Sequence, residues 1–451
     1  MPTTPRARRH RVVIVGAGAA GCVVAATLAN AEFDVTLVKG GPDRNPDDAT
    51  APVNSGDLFR AATARQYVYE AAATAGAGEP TRPYLRGVGI GGSGSINGLL
   101  LHRGTPEDYE RWAALPGCDG WDSGELWPRV QRRYDRGRTH ERRGPVDALL
   151  AASLPVEPAR FAIDATGRRA CSATTDLDPV RRQIDVRTDA PVRRVLIEHG
   201  RCGGVELDSR ETIDADLVVV CAGALQSPLL LQRSGVDRPG IGANLHDHPA
   251  IGVAVPLFES TPLDIAPTTV VAHLTSGGSH PHLQVLPLNR IGIDDHDTRA
   301  GALLIGVLEQ YGRGRIRREP DGSVTLDFNQ NNDERDRAAA RLAAAFAHRI
   351  LATHPGIEHV PSPDEPPEVT DAWVATHRGE YLHAAGTCRM GSVDDDGAVV
   401  DNTCQVIATP GLYVVDASIF PNQPRTNPYL ATLAVAELAA ERIAAIWSTG
   451  S

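Results

Sequence analysis

Three glycines near the start of the chain have the spacing of a phosphate-binding turn. Gly16, Gly18 and Gly21 form a G-x-G-x-x-G pattern within RVVIVGAGAAG. Glycines at these positions allow a tight turn, a close approach of the backbone to a pyrophosphate and a close helix–strand contact. The backbone N–H groups of the helix that follows, which begins with Ala19 and Ala20, would then face the phosphates. The pattern therefore predicts dinucleotide binding.

The residue that follows the second strand of this unit departs from the motif. Asp or Glu is expected there, because a carboxylate accepts hydrogen bonds from ribose hydroxyls. The segment LVKGGP has Lys39 instead. A lysine could favour an extra phosphate, as on NADP, or it could be a solvated residue with the ribose contacts made elsewhere. The motif alone therefore does not distinguish FAD, NAD and NADP.

The elements around the turn have the composition of a buried parallel sheet with its helices. Residues 12–15 lack polar alternation, which is typical of a strand covered on both faces. An Ala- and Val-rich helix is predicted over residues 19–30, and a second strand over residues 34–38. The segment DLVVVCA at 216–222 is a further apolar strand, with a helix predicted over 227–233. Together these elements predict a Rossmann-like α/β domain.

Other regions have the alternation of antiparallel sheets. Residues 184–188, 192–198 and 203–207 alternate like the strands of one meander. Strand patterns return from residue 250 to about residue 326. An amphipathic helix is predicted over residues 333–351. The chain is therefore expected to be α+β overall, with an antiparallel sheet in a second domain.

Composition argues against several classes of function. The 451 residues are 42% hydrophobic, which is enough for a large core and two domains. The formal net charge of -11 argues against a nucleic-acid or anionic-membrane partner. Seven cysteines without a C-x-x-C pair predict a reducing compartment. No stretch reaches the roughly 18 apolar residues of a membrane helix. We therefore expect a cytoplasmic protein without a membrane span.

Two histidines in GIGANLHDHP could suggest a metal site. His246 and His248 flank Asp247, and all three side-chain types can ligate a metal ion. No third ligand at a suitable spacing follows them in the sequence. We therefore predict that the chain holds no metal.

A glycine-rich loop and two later segments make the chain recognisable. The loop RGVGIGGSGSIN at 86–97 offers many backbone N–H groups without side-chain bulk, which suits close contact with a flat polar ligand. It is followed by Arg103-Gly104 and a predicted helix over 106–114. The later segments are YLHAAGTCRMG at 381–391 and DASIFPNQPRTNPYLATLAVAE at 416–437. With GIGANLHDHP, they resemble the glucose–methanol–choline (GMC) family of FAD-dependent oxidoreductases.

The resemblance implies that the dinucleotide is FAD. It also implies non-covalent binding, because Ile96 stands where some family members have a histidine joined to the flavin. Val192 could meet the adenine through its backbone or could be ordinary sheet core. The residues expected to contact FAD are Gly16, Gly18, Ala19, Ala20, Gly21, Lys39, Gly91, Gly92, Ser93, Asn97, Gly98, Val192, Ala222, Gly223, Asp416, Ala417, Pro428 and Tyr429.

The resemblance also implies the catalytic residues. His383 occupies the position of the family's catalytic histidine, and Asn427 that of its partner across the active site. An imidazole suits this role because its pKa lies near operating pH, so it can take the hydroxyl proton of an alcohol while the hydride leaves to flavin N5. Asn427 could hold the substrate oxygen. It also precedes Pro428 at a predicted helix start, where it could act as an N-cap.

Three further side chains, those of His282, Gln284 and Tyr381, are expected at the substrate. In SHPHLQVLPL, His282 and Gln284 lie on one face of a predicted strand, so they could line the pocket or a solvated sheet face. Tyr381 and Leu382 border the place where O2 would reach the flavin. Because these two residues are bulky, we expect a dehydrogenase rather than an oxidase, although O2, a quinone or dye, and a redox partner are all conceivable acceptors.

The resemblance extends over nearly the whole chain and implies its division. We expect the FAD-binding domain to combine residues 1–110, 180–250 and 396–451, the last with the catalytic Asn427. The substrate domain would combine residues 111–179 and 251–395, with an antiparallel sheet over the flavin ring.

The implied activity is oxidation of a small primary or secondary alcohol to an aldehyde or ketone. Two alternatives stay open. A lyase of the same fold, such as a hydroxynitrile lyase, uses FAD only structurally. A non-catalytic binding protein could have lost FAD through the change to Lys39.

Overall fold

The computed structural model describes residues 9–76, 78–274, 283–292, 299–319, 323–352 and 369–449. In chain order the strands are β1 (Arg11–Val15), β2 (Asp34–Val38), β3 (Val68–Thr74), β4 (Arg82–Gly87), β5 (Leu100–Leu101), β6 (Arg138–Thr139), β7 (Glu157–Pro158), β8 (Arg160–Phe161), β9 (Asp185–Arg187), β10 (Val192–Glu198), β11 (Arg201–Leu207), β12 (Thr212–Asp214), β13 (Leu217–Val220), β14 (Ala243–Leu245), β15 (Pro249–Pro256), β16 (Val270–Leu274), β17 (Leu283–Leu288), β18 (Ala300–Val307), β19 (Gly314–Arg318), β20 (Val324–Asp327), β21 (Arg378–Glu380) and β22 (Leu412–Val414).

The helices in the same ranges are α1 (Ala19–Asn30), α2 (Leu58–Ala62), α3 (Pro106–Ala113), α4 (Ser123–Asp135), α5 (Pro145–Ser153), α6 (Asp178–Val180), α7 (Gly223–Arg233), α8 (Glu334–Ala352), α9 (Asp371–His377) and α10 (Pro428–Thr449). None of them combines the length and apolar character needed to cross a lipid bilayer. All seven cysteines are free and buried.

A parallel sheet forms the nucleotide-binding part of the fold. Its strand order is β22-β13-β1-β2-β9, and all of its strand pairs are parallel. Val12 of β1 lies between Leu217 of β13 and Val35 of β2. Most residues of these central strands are buried, as their lack of polar alternation predicts. The Rossmann-like domain is confirmed, with the glycine turn at the carboxyl end of β1.

One strand lies in a different sheet from the expected one. The alternation of residues 184–188 predicts the first strand of an antiparallel meander. In the structure β9 instead pairs in parallel with β2, with Thr36 opposite Asp185. The meander consists of β10, β11 and β12 alone. The prediction was wrong because a strand this short contains too little pattern to identify its neighbour.

The sheets outside the parallel one place the substrate residues. A six-stranded antiparallel sheet has the order β21-β15-β18-β17-β16-β7, with α8 packed against β15 and β18. It carries Gln284 on β17, and Tyr381 directly follows β21. A second sheet, β14-β19-β20-β3-β4, leads through β4 into the glycine-rich loop. Two-residue strands form a third sheet, β5-β8-β6.

The helix α10 connects the two halves of the candidate site. It packs against α1 and α4, and its buried residues are largely alanine and leucine, which permit close helix contacts. Because α10 begins at Pro428, Asn427 lies immediately before its first turn. The helix that follows the glycine turn and the helix that follows Asn427 are therefore packed together.

Candidate active site

The two glycine-rich segments contact each other. Gly16 has a φ of 108°, and a Cβ there would lie 2.5 Å from the carbonyl oxygen of Cys221. The N–H of Gly91 donates to the carbonyl oxygen of Ala17 at 2.7 Å. A Cβ on Gly92 would lie 2.8 Å from the Cα of Gly18. The structure thus joins the turn after β1 to the glycine-rich loop by backbone contacts that leave no space for side chains.

The backbone around this junction is open at two of its glycines. A Cβ added at Gly18 or at Gly223 would meet no heavy atom within 4 Å, among the residues that the structure describes. Both glycines lie at the carboxyl edge of the parallel sheet, one after β1 and one after β13. Backbone N–H groups at an open helix start are the groups that bind pyrophosphate. The residues present therefore fit a dinucleotide.

Asp416 joins two of the predicted contact segments. Its Oδ2 accepts hydrogen bonds from the N–H of Gly223 at 2.8 Å and from the hydroxyl of Ser227 at 2.6 Å. Its Oδ1 accepts one from the N–H of Ser418 at 2.8 Å. The side chain is 3% exposed. This carboxylate therefore brings Gly223 next to Ala417, while Ala222 packs beside Gly16.

The carboxyl end of β2 brings Lys39 close to Val192. The N–H of Lys39 donates to the carbonyl oxygen of Arg187, and the N–H of Ala190 donates to that of Lys39. Val192 begins β10 two residues later and is half-buried. Burial lowers the pKa of Lys39. No carboxylate pairs with this ammonium among the residues that the structure describes.

A buried arginine that the sequence analysis did not identify holds the glycine-rich loop. Nη1 of Arg169 donates to the carbonyl oxygen of Gly94 and to both oxygens of Asn97, at 2.8 to 3.1 Å. Arg169 is 2% exposed, and burial lowers its pKa to about 10. The only sequence signal for it is that RRACSA at 168–173 resembles, in altered form, a loop of the GMC family. Asn97 is thus fixed by Arg169.

The glycine-rich loop contacts α10 at Gly94. Tyr429 lies close to Gly94, at 3.4 Å from a Cβ placed there, and its hydroxyl accepts a hydrogen bond from the N–H of Ser172. Oγ of Ser93 accepts a hydrogen bond from the loop's own backbone, the N–H of Gly87 at 3.1 Å. Gly98 follows the loop, two residues before β5.

Ile96 lies in the same loop and packs elsewhere. It is half-buried against a small apolar cluster of Val53, Ala64 and Tyr67. An aliphatic side chain has no atom that can form a covalent bond to a flavin. The structure therefore offers no linkage at this position.

His383 and Asn427 come together across the site. Nε2 of His383 lies 3.4 Å from Nδ2 of Asn427. On the other side of the ring, Nδ1 of His383 lies 3.0 Å from Nδ1 of His248. The N–H of His383 donates to Oδ1 of Asp247 at 2.8 Å, and its carbonyl oxygen accepts from Nε2 of Gln423 at 2.9 Å. The imidazole is therefore held from both its ring nitrogens and its backbone.

These contacts determine the tautomer of His383. The amide nitrogen of Asn427 only donates, so Nε2 of His383 must carry a lone pair. The proton is then on Nδ1, which donates to the lone pair on Nδ1 of His248. The nitrogen that faces Asn427 is the one that can accept a proton.

The surroundings keep both imidazoles neutral. Burial lowers the pKa of His383 well below its ordinary value, and the nearby His248 and Arg86 lower it further. Burial lowers the pKa of His248 to about 3. Burial raises the pKa of Asp247 to about 7, although hydrogen bonds from Tyr84 and from the His383 backbone oppose this. A neutral His383 at neutral pH is the form that a general base requires.

The oxygen of Asn427 has a different environment from the one expected. The helix does begin at Pro428, but Oδ1 of Asn427 is buried and accepts no hydrogen bond from any residue that the structure describes. The expectation that this side chain caps the helix is therefore wrong. A buried acceptor without a partner is costly, which is consistent with a ligand group that occupies this position.

Tyr381 and Gln284, which were predicted at the substrate, belong to a circuit of polar side chains. The hydroxyl of Tyr381 donates to Oε1 of Gln284 at 2.9 Å, and the Tyr381 ring lies edge-to-face with His383, 4.7 Å between centroids. Nε2 of Gln284 lies 3.4 Å from Nε2 of His273, whose ring centroid is 4.2 Å from that of His102. Nδ1 of His102 in turn lies 3.0 Å from Oγ1 of Thr426, and Thr426 directly precedes Asn427.

The two new histidines of this circuit were not identified from the sequence. His102 follows an apolar run and His273 is the penultimate residue of β16, and neither position shows a motif. Gln284 is fully buried, so the reading of a solvated sheet face is wrong for it. His282 lies outside the described residues.

The histidines of GIGANLHDHP make contacts within the protein. Nδ1 of His246 lies 2.8 Å from the carbonyl oxygen of Asn244, and His248 contacts His383. No group of three or more potential metal-ligating side chains occurs in the ranges that the structure describes.

Two family models match most of the chain. The model for the N-terminal part of GMC oxidoreductases matches residues 11–156 and 161–250, and that for the C-terminal part matches residues 310–436. These matches include the glycine turn, the glycine-rich loop, His383 and Asn427.

Individual proteins are similar over nearly their full lengths. The 5-(hydroxymethyl)furfural oxidase of Methylovorus sp. (strain MP688) is 30% identical, with 96% of this chain and 98% of that protein covered. The oxygen-dependent choline dehydrogenase 1 of Chromohalobacter salexigens is 28% identical, with 97% and 95% covered. The first alignment extends over 522 positions, so that relative contains segments that this 451-residue chain lacks.

Solved structures have the same fold. Pyridoxine 4-oxidase from Mesorbium loti superposes with a TM-score of 0.85 at 27% identity, covering 96% of this chain and 99% of that one. The formate oxidase of Aspergillus oryzae superposes with a TM-score of 0.83 over 99% of this chain and 100% of that one. Its identity of 19% supports the fold alone.

Proposed function

The chain belongs to the GMC oxidoreductase family, and from this premise we propose that it oxidises a small alcohol to an aldehyde or ketone, with His383 as general base. The observation that carries the proposal is the geometry around His383. Nε2 of the base faces Asn427 at 3.4 Å, while His248 holds the opposite nitrogen at 3.0 Å.

FAD is the cofactor of this oxidoreductase, and when bound it accepts the hydride that leaves the alcohol carbon. The residues that would hold its phosphates are those of the glycine turn, Gly16 to Gly21, together with Gly223. The glycine-rich loop around Gly91 to Asn97 would lie against the flavin half. The open space beside Gly18 and Gly223 supports this arrangement.

The remaining chemistry belongs to the chain's own residues. Asn427 presents an unpartnered Oδ1 that can accept a hydrogen bond and an Nδ2 that can donate to the substrate oxygen. His383 takes the hydroxyl proton on Nε2 as the oxygen–carbon bond gains double-bond character. The N–H groups at the start of α10 stabilise negative charge, because they lie at the positive end of a helix dipole.

For the substrate class, the proposal is an uncharged alcohol. The circuit places the polar side chains of Tyr381, Gln284 and His102, rather than a formal charge, near the base. The relatives named for hydroxymethyl-furan and pyridoxine oxidation act on small alcohols of this kind. The relative named for choline indicates that the fold also accepts a cationic alcohol.

For the electron acceptor, we propose that the chain is a dehydrogenase rather than an oxidase. The support is the Tyr381 ring, which packs edge-to-face on His383 and limits access beside the base. The flavin of the protein, reduced anaerobically and then mixed with air-saturated buffer, should reoxidise slowly. Fast reoxidation with one peroxide per flavin would contradict the proposal and would make the chain an oxidase.

The proposed activity itself is tested by anaerobic titration of the purified holoprotein with a panel of primary and secondary alcohols. We expect loss of the flavin absorbance with at least one alcohol and formation of its carbonyl product in equal amount. Absence of bleaching by every alcohol, with chemical reduction of the flavin intact, would contradict the proposal.

A further inference from the structure

His102 is hydrogen-bonded to Thr426, the residue before Asn427, and the proton transfer proposed above does not use it. It directly follows β5, and its Nδ1 is 3.0 Å from Oγ1 of Thr426, the residue that precedes Asn427. Its other face packs against His273, with 4.2 Å between the ring centroids. An imidazole therefore stands one residue away from the group that would hold the reacting oxygen.

Hydrogen bonding fixes which nitrogen of His102 is protonated. The hydroxyl of Thr426 donates to the carbonyl oxygen of His102 at 3.0 Å, so the hydroxyl proton is already used. Oγ1 must then accept from His102, which places the ring proton on Nδ1. Nε2 carries a lone pair, and no residue that the structure describes donates to it. Burial lowers the pKa of His102 well below its ordinary value, with His273 and Arg103 adding to the effect, so the lone pair persists at neutral pH.

On the other side of the circuit, the hydrogen-bond donors already have acceptors within the protein. The hydroxyl of Tyr381 donates to Oε1 of Gln284, and Nε2 of Gln284 donates to Nε2 of His273. Nδ1 of His273 lies 3.2 Å from a carboxylate oxygen of Glu157, to which its proton is donated. These three donors are therefore not available to a ligand. The groups of the circuit that can still bind a ligand are hydrogen-bond acceptors.

Within the part of the chain that the structure describes, two acceptors without a donor thus lie on adjacent parts of the site. One is Oδ1 of Asn427, which is buried. The other is Nε2 of His102, which carries the lone pair because Nδ1 of the same ring donates its proton to Thr426. A pocket with open acceptors is complementary to a ligand that brings donors, and a ligand lacking the donor leaves a buried group unpaired.

We propose that His102 determines substrate specificity by accepting, through Nε2, a hydrogen bond from a second hydroxyl group of the substrate. The preferred substrates are then uncharged alcohols that carry a second hydroxyl besides the one oxidised. This inference rests on the proposed alcohol oxidation and names the substrate class of the same site.

The test compares alcohols that differ only in the second group. The probes are the ortho, meta and para isomers of hydroxybenzyl alcohol, each beside the methoxybenzyl and methylbenzyl alcohols of the same pattern. The methoxy group keeps the oxygen but removes the donor. The measured quantity is the second-order rate constant for anaerobic flavin reduction in the holoenzyme.

We expect the wild type to prefer at least one hydroxybenzyl isomer over its methoxy counterpart by about 10-fold, as loss of one neutral hydrogen bond predicts. His102→Leu should bring this ratio to within about twofold, and the ratio is the diagnostic quantity because both rates are measured in the same variant. His102→Gln retains an acceptor oxygen and should keep part of the preference.

Ratios that stay below about threefold for all isomers in the wild type, or a preference that survives in His102→Leu, would overturn the inference. In either case the wild-type flavin is still bleached by the probes, so the proposed activity stands. Absence of bleaching by every alcohol would instead refute the activity and the inference with it.

A binding measurement covers the case in which His102→Leu does not fold. Resorcinol and its dimethyl ether are titrated into wild-type holoenzyme and followed by perturbation of the flavin spectrum. Tighter binding of resorcinol supports the inference, and equal or weaker binding contradicts it.

Discussion

Nδ1 of His248 lies 3.0 Å from Nδ1 of His383, on the side of the ring opposite Asn427. Since both imidazoles are neutral, only one of the two nitrogens can carry a proton in this contact. His248 therefore keeps the proton of His383 on Nδ1 and the lone pair on Nε2, the arrangement that the proposed general base needs.

Replacement of His248 should impair the base without removing it. His248→Ala leaves Nδ1 of His383 without its acceptor and permits the wrong tautomer, so we expect the flavin reduction rate to fall by about 10²-fold. His248→Asn can still accept through Oδ1 and should recover part of the loss.

If His248 had only a structural role, its replacement would lower stability or flavin content and leave the reduction rate unchanged. Loss of flavin content or of thermal stability in His248→Ala, with an unchanged reduction rate in the molecules that retain flavin, would refute the positioning role.

Asn427→Ala should affect the reaction more than the fold. Its Nδ2 contacts His383 at 3.4 Å, whereas its Oδ1 caps no helix. We expect roughly a 10-fold slower flavin reduction and a loss of unfolding free energy below about 1 kcal/mol, the value of one neutral hydrogen bond. Urea unfolding and anaerobic stopped-flow measure the two effects. A larger loss of stability than of rate would show that Asn427 is mainly a structural residue.

Lys39→Glu should strengthen the binding of FAD. The ammonium of Lys39 is half-buried at the carboxyl end of β2, without a carboxylate partner among the described residues. A glutamate there can accept charge-assisted hydrogen bonds from ribose hydroxyls, worth about 1.5–3 kcal/mol. Lys39→Met is the control that removes the charge without adding an acceptor, and flavin fluorescence on dilution measures the dissociation constant. Weaker binding in Lys39→Glu would mean that the lysine itself contacts the cofactor.

The flavin should be released without cleavage of a covalent bond. Ile96 packs against Val53, Ala64 and Tyr67 and offers no atom for a linkage. Acid precipitation should therefore leave all the yellow colour in the supernatant, with an Ile96→Val variant as a conservative control. Flavin that stays in the protein pellet would contradict this prediction.

The local parts of the fold could be predicted because their causes are local. The strand–glycine turn–helix unit follows from residues 12–30 alone, and His383 and Asn427 lie in motifs that identify them. The structure brings them together at 3.4 Å, although 43 residues separate them in the chain.

Long-range partners could not be predicted in the same way. His248 contacts His383, and His102 contacts His273, only because separate sheets pack together. A short sequence pattern does not predict how two sheets pack. The buried Arg169 has the same property, because its acceptors on Asn97, Gly94 and Ser55 lie 72, 75 and 114 residues away in the chain. The error about the Asn427 cap arose because a helix start was read from composition, while the side chain turns toward His383 instead.

Anaerobic stopped-flow reduction of wild type and His383→Ala, with saturating alcohol across pH, tests the central claim most directly. His383→Ala should bind FAD and fold normally but reduce its flavin about 10²–10⁴-fold more slowly, the span of general-base catalysis. Burial lowers the pKa of His383 below its ordinary value of 6.5, so the wild-type rate should rise with pH through an ionisation below that value and level off at neutral pH. His383→Ala should lack this ionisation. A His383→Ala rate within a few-fold of wild type, or an unchanged pH profile, would contradict the account.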